Sequence, residues 1–150
     1  MDAANKIAKA VDWIISECAR EGIVVMRYDA ISTHSVYLKF DDGVLGSLRI
    51  SDHAGKKHLK YKYNLTMGSA RKKRTHKGKV QCFAPFKDIE ILFQQVLDDR
   101  DKLVDRYGAY LYTEFMKKNR IEADYSKGFW AHADYVQREL FINHEKNATI

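Results

Sequence analysis

Leu59-Lys60-Tyr61-Lys62-Tyr63-Asn64-Leu65 alternates apolar and polar side chains over seven positions, the period of two that a half-buried strand requires. Leu59, Tyr61, Tyr63 and Leu65 fall on one side of such a strand, Lys60, Lys62 and Asn64 on the other. One face is apolar and one is cationic. Toward the N-terminus, Val36, Leu38 and Phe40 alternate against Ser35, Tyr37 and Lys39. Asp41-Asp42-Gly43 then supplies a hairpin turn, and Leu48 and Ile50 lead a strand that closes at Ser51. Residues 23 to 30 are rich in β-branched side chains and read as one more strand. Ahead of them Ile7, Ala10, Val11, Ile14, Ile15 and Cys18 recur at helical steps, with Asp2 placed to cap the helix and Gly22 to stop it.

Toward the C-terminus, Gly68, Ser69 and Gly78 around Arg71, Lys72, Lys73 and Arg74 predict a mobile basic loop at about 66–78, and Val80 to Ala84 a fifth strand. Pro85 suits a boundary into a helix in which Ile89, Leu92, Phe93, Val96, Leu97, Leu103 and Val104 keep the helical period. Gly108 breaks that pattern. Leu111, Tyr112, Phe115 and Met116 begin a second helix, and Trp130, Ala133, Val136 and Leu140 mark a third from about 129 to 142. The expected fold is therefore α+β over residues 1–150 as one domain. It comprises an N-terminal helix, an antiparallel sheet of four to five strands, and three C-terminal helices packed on one face.

Composition bounds the function. At 150 residues with 45% hydrophobic side chains and a lone proline, the chain is long enough for one core and offers no Pro-rich linker at which to divide. No apolar run suggests a membrane span or secretory signal, so a cytoplasmic protein is expected. Cys18 and Cys82 lie far apart without CxxC spacing and read as reduced, buried thiols.

The charge is segregated. Between Asp52 and Asp88 no acidic residue occurs, yet Lys56, Lys57, Lys60, Lys62, Arg71, Lys72, Lys73, Arg74, Lys77, Lys79 and Lys87 place eleven cations in 35 positions. The remaining fifteen Lys and Arg face all 20 Asp and Glu, a net charge of −5, although the whole chain carries +6. A block this one-sided points to a polyanionic or acidic partner, the other reading being a solvated loop that happens to be basic. Arg49, just ahead of the block, either adds a bidentate contact to such a partner or anchors its turn through Asp52. Tyr61 and Tyr63 have the ring chemistry to stack bases, but their shared face with Leu59 and Leu65 predicts burial in the core.

Enzymatic signatures are sparse. His34, His53, His58 and His76 cluster in the sheet region without metal-ligand spacing, and neither cysteine stands at a zinc-finger distance. Ser51-Asp52-His53 are sequence neighbours whose side chains diverge, so Asp52 is expected to cap a turn with His53 packed or pairing nearby. No phosphate-binding loop or dinucleotide fingerprint occurs. No catalytic residue, metal or cofactor is assigned.

Two resemblances sharpen the expectation. Ser32-Thr33-His34 ahead of a strand loosely resembles the Gly-Ser-His of HicA-type RNA-cleaving toxins, which implies His34 as a general base in a small ribonuclease. Ser35-x-Tyr37, Leu48-Arg49-Ile50-Ser51-Asp52-His53 and Tyr61-Lys62-Tyr63-Asn64-Leu65, followed by a long amphipathic helix, resemble small proteins of phages and mobile elements in Gram-positive bacteria. The same order is similar to one inhibitor class among the type II anti-CRISPR proteins. That second resemblance implies a phage-side protein acting in the bacterial cytoplasm by binding a host nucleoprotein, such as a CRISPR effector with its guide RNA. The leading expectation is thus a non-enzymatic basic binding protein engaging nucleic acid or a nucleoprotein. A ribonuclease, or a homodimeric scaffold associating around Trp130 and Tyr135, are the alternatives.

Overall fold

The computed structural model describes residues 2–53, 60–67, 70–123 and 129–136. Helix α1 (Ala3–Glu21) starts where Asp2 Oδ1 accepts the Asn5 amide at 2.8 Å. It ends at Gly22, whose φ of 70° lets Ile23 donate back to the Cys18 carbonyl at 2.9 Å. Its buried stripe is Ile7, Ala10, Val11, Ile14, Ile15 and Cys18, the set that the periodicity predicts. Strands β1 (Val25–Asp29), β2 (Val36–Phe40) and β3 (Gly46–Ser51) form an antiparallel meander, with Asp41–Gly43 turning between β2 and β3.

Beyond β3 the expected plan fails. Among the described residues the sheet has seven strands in the order β5-β6-β4-β3-β2-β1-β7 and is mixed: β4 (Tyr63–Thr66) runs parallel to β3 and to β6 (Lys79–Pro85), while β5 (Lys72–His76) pairs antiparallel with β6. An alternating pattern states which side chains share a face and says nothing of the neighbouring strand's direction. The connection from Ser51 to Tyr63 is long enough to cross over the sheet. The segment expected as a loop holds β5, which forms a hairpin with β6.

The three C-terminal helices are also corrected. One helical run, α2 (Ile89–Ala123), follows a 3-10 turn at Phe86–Asp88 and carries Gly108 inside it at φ 82°, ψ 156°. Only glycine tolerates that conformation without strain, so the run changes direction there and continues. Residues 129–132 make a single 3-10 turn and β7 (Asp134–Tyr135) pairs with β1, where the third helix was expected; residues 137–142 of that expectation lie outside the described residues.

Both helices pack on one face of the sheet. Val36, Leu38 and Phe40, Leu48 and Ile50, Tyr63 and Leu65, and Cys82 and Ala84 join the α1 stripe and Leu92, Phe93 and Val96 of α2 in one core. Trp13 meets Phe93 edge-on at 5.8 Å between the helices. Tyr63, fully buried, donates its phenol to Asp99 at 2.6 Å, which satisfies the one polar atom it carries inside. The acidic turn closes the opposite end. Asp41, 3% exposed, accepts from the Val24 amide at 2.9 Å and from Tyr112 at 2.5 Å, and Asp42 accepts from Arg120 at 2.9 Å and from Tyr135. These bonds fasten the second half of α2 and β7 to the β2–β3 turn. Cys18 and Cys82 are free and buried, and burial pushes both thiols up from their ordinary range. Among the described residues no helix is long and apolar enough to cross a membrane.

Candidate nucleic-acid interface

Strand β5 reads Lys72-Lys73-Arg74-Thr75-His76 and stands at the outer edge of the sheet. It returns through Lys77 (φ 51°) and Gly78 (φ 77°), two consecutive left-handed residues between the paired His76 and Lys79. That is the twist a two-residue hairpin needs, and Lys77 carries about 1 kcal/mol of local strain to provide it. Cross-strand partners share a face: Lys72 with Phe83 and Arg74 with Gln81 on one side, Lys73 with Cys82 on the other. Lys72 Nζ and the Arg74 guanidinium lie 5.3 and 5.1 Å from the Phe83 ring, and Arg74 donates to Gln81 Oε1 at 3.0 Å. These contacts hold the two side chains outstretched without a carboxylate.

The expected site residues meet different fates. Lys60, Arg71, Lys72, Lys73, Lys77 and Lys79 are exposed and Arg74 half-buried, and none of the seven forms an ion pair with a carboxylate among the described residues. Five of them sit on the β5–β6 hairpin, with Arg71 next to it. Lys62 is withdrawn: its Nζ pairs with Asp99 at 3.5 Å and its stem packs on Gly46, so it turns to the helical side. Lys56 and Lys57 lie outside the described residues. Arg49 is 8% exposed and points to the sheet face away from the helices, opposite Tyr37 and Asn64 in the strand register. It does not anchor the turn through Asp52, whose ion-pair partner is His53 at 3.4 Å. The His53 amide donates to Ser51 Oγ at 3.2 Å, so Ser51 caps that turn.

Tyr61 corrects the reading that began with residues 59–65. β4 starts only at Tyr63, and Tyr61, ahead of it, lies against Tyr37 at 5.1 Å. Tyr63 enters the core and Tyr61 does not. The Tyr61 carbonyl accepts from Asn64 Nδ2 at 3.1 Å and Gln81 Nε2 at 3.4 Å, which fixes its backbone next to the hairpin. Tyr37 continues the row toward Tyr28 at 6.3 Å. Burial pushes the Tyr61 phenol up to about 12, as does Tyr37, while Arg49 pulls it down. The face away from α1 and α2 thus carries tyrosines in its middle and cations at its β5 edge. Gln81 and Phe83 were missed by sequence reasoning; their alternation with Val80, Cys82 and Ala84 was the available signal.

His34 is exposed in the β1–β2 connection, with no hydrogen bond or ion pair to a described residue. Among the described residues no three His, Cys, Asp or Glu gather to hold a metal ion. Trp130 lies under Lys39 Nζ at 4.6 Å, and Tyr135 is bonded to Asp42, so both are engaged within the chain. No protein-family model matches this chain, and neither curated proteins nor solved structures provide a match.

Proposed function

We propose that this chain is a non-enzymatic binding protein that engages nucleic acid, free or within a nucleoprotein, through the β5–β6 hairpin. The observation that carries the reading is the absence of any carboxylate paired to Arg71, Lys72, Lys73, Arg74, Lys77 or Lys79 among the described residues. An unneutralised row of cations at a sheet edge attracts phosphates over a Debye length of about 8–10 Å at moderate salt and gains entropy from the counterions it releases. Lysines on an edge strand also discourage pairing with foreign strands. That role needs charge on the strand alone, whereas here it extends through Arg71 before the strand and Lys77 in the turn.

The more specific form is inhibition of an RNA-guided nuclease by a phage-type protein. It is supported by the resemblance spanning about residues 35 to 106 and by the charged channel such a nuclease offers. The test combines reversal of Arg71, Lys72, Lys73 and Arg74 to Glu with capture from bacterial lysate, with and without nuclease treatment. The reversed protein, folded by circular dichroism, is expected to lose its nucleic-acid cargo. Wild-type retention by the reversed protein in low salt refutes the reading.

A further inference from the structure

On the sheet face away from α1 and α2, Arg49 is more than nine-tenths buried, and its Nη1 has no hydrogen-bond partner among the described residues. No carboxylate of the described residues forms an ion pair with it. Beside it in the register stands Asn64, fully buried, whose Nδ2 is used on the Tyr61 and Cys82 carbonyls while its Oδ1 has no partner. A buried guanidinium nitrogen left without a partner costs free energy, and such an arrangement persists in proteins mainly where function uses it. Around the pair are Tyr37, Tyr61 and the Ser35–Ser51 hydroxyl contact at 2.9 Å, all on the same face. Every one of these residues belongs to the pattern picked out from the sequence, and the hairpin reading uses none of them.

We infer that this cluster is a nucleotide-binding site for single-stranded nucleic acid, resting on the proposed hairpin interface and extending it inward. A strand whose phosphates lie along Lys72, Arg74 and Lys79 would continue past Gln81 to Tyr61. Tyr61 belongs to no strand of the sheet, so its ring can turn about the Cα–Cβ bond while its carbonyl stays fixed by Asn64 and Gln81. Turned outward, the ring offers a stacking surface beside Tyr37 and uncovers Arg49 Nη1 and Asn64 Oδ1. Those atoms are one donor and one acceptor, the complement of the polar edge of an unpaired base, and the guanidinium charge acquires a phosphate or keto oxygen as its counterpart. A duplex hides those edges and cannot reach across the face. The site therefore favours single strands.

The test compares fluorescently labelled 12-mers of oligouridylate and oligothymidylate with a duplex of equal length, using wild type, Tyr61→Leu, Tyr61→Phe and Arg49→Gln. Stacking is worth enough that Tyr61→Leu should weaken single-strand binding about 5- to 150-fold. Tyr61→Phe should bind within a few-fold of wild type, and duplex affinity should not move. Arg49→Gln removes a buried charge that no carboxylate of the described residues pairs with, so it should melt no lower than wild type and still lose single-strand preference. Equal affinity of wild type for single strand and duplex, unaltered in Tyr61→Leu and Arg49→Gln, overturns this site while leaving the hairpin interface standing. Wild-type protein that binds no oligonucleotide but captures an acidic protein overturns both.

Discussion

Neutralising Lys72, Lys73 and Lys79 together to Gln isolates the electrostatic contribution of the hairpin. All three side chains are exposed and unpaired to carboxylates, and their backbones stay in the β5–β6 ladder, so the fold should survive. The substitution also takes the Lys72 ammonium away from the Phe83 ring, 5.3 Å from it in the native protein. At an exposed site such a cation–π pair is worth about 0.5–1 kcal/mol. Each phosphate neutralised on a single strand contributes about −0.7 to the slope of log affinity against log salt, and Lys72 and Lys79 share the face along which the strand would run while Lys73 lies on the other, so the triple variant should lose about 1.4 units of slope and bind about 25-fold more weakly near 0.1 M salt. The difference must shrink as salt rises, with the two proteins converging toward about 1 M, because counterion release vanishes there. Fluorescence anisotropy of a labelled 12-mer across a potassium chloride series reads both slope and affinity. A variant with the wild-type slope would show that these lysines do not meet phosphates, and an affinity loss constant at every salt concentration would mean that a non-electrostatic interaction had been broken.

Two further predictions concern the frame that presents the interface. Gly108→Ala should destabilise the protein by about 1–3 kcal/mol in urea unfolding, since its φ of 82° and ψ of 156° are strained for any side chain although the space around it is open; stabilisation, the usual result inside a straight helix, would refute the kink. Burial raises Asp41 above its ordinary value of 3.8, against the lowering effect of its hydrogen bonds from Tyr112 and Val24. Its contribution to stability is therefore complete below the unfolded value and is lost as pH rises through the folded one. Asp41→Asn should gain stability relative to wild type as urea unfolding is moved from pH 3 to pH 7, and a relative loss over that interval would contradict the sign.

Much of the N-terminal half is legible in the sequence alone. Asp2, the Ile7-to-Cys18 stripe and Gly22 specify α1 because caps and periodicity are local, and Asp41-Asp42-Gly43 specifies the β2–β3 turn for the same reason. The site was less legible. The cations of the hairpin stand in plain view in the sequence, but Lys62 looks no different from Lys60 until Asp99, thirty-seven residues away, is seen to pair with it. Asp99 also receives the phenol of Tyr63, and nothing near Tyr63 announces that its partner lies on α2.

Local order along the chain was enough to establish the first helix, the β2–β3 turn, the one-sided charge and which residues alternate, because each depends on neighbours a few positions apart. Three-dimensional packing alone decided that β4 runs parallel between β3 and β6, that Tyr61 leaves the face it shares with Tyr63 by pattern, and that Arg49 is buried with no ion pair to a carboxylate among the described residues. Those outcomes depend on which distant strand lies alongside and on how far water is excluded. Neither quantity is encoded in the spacing of residues along the backbone.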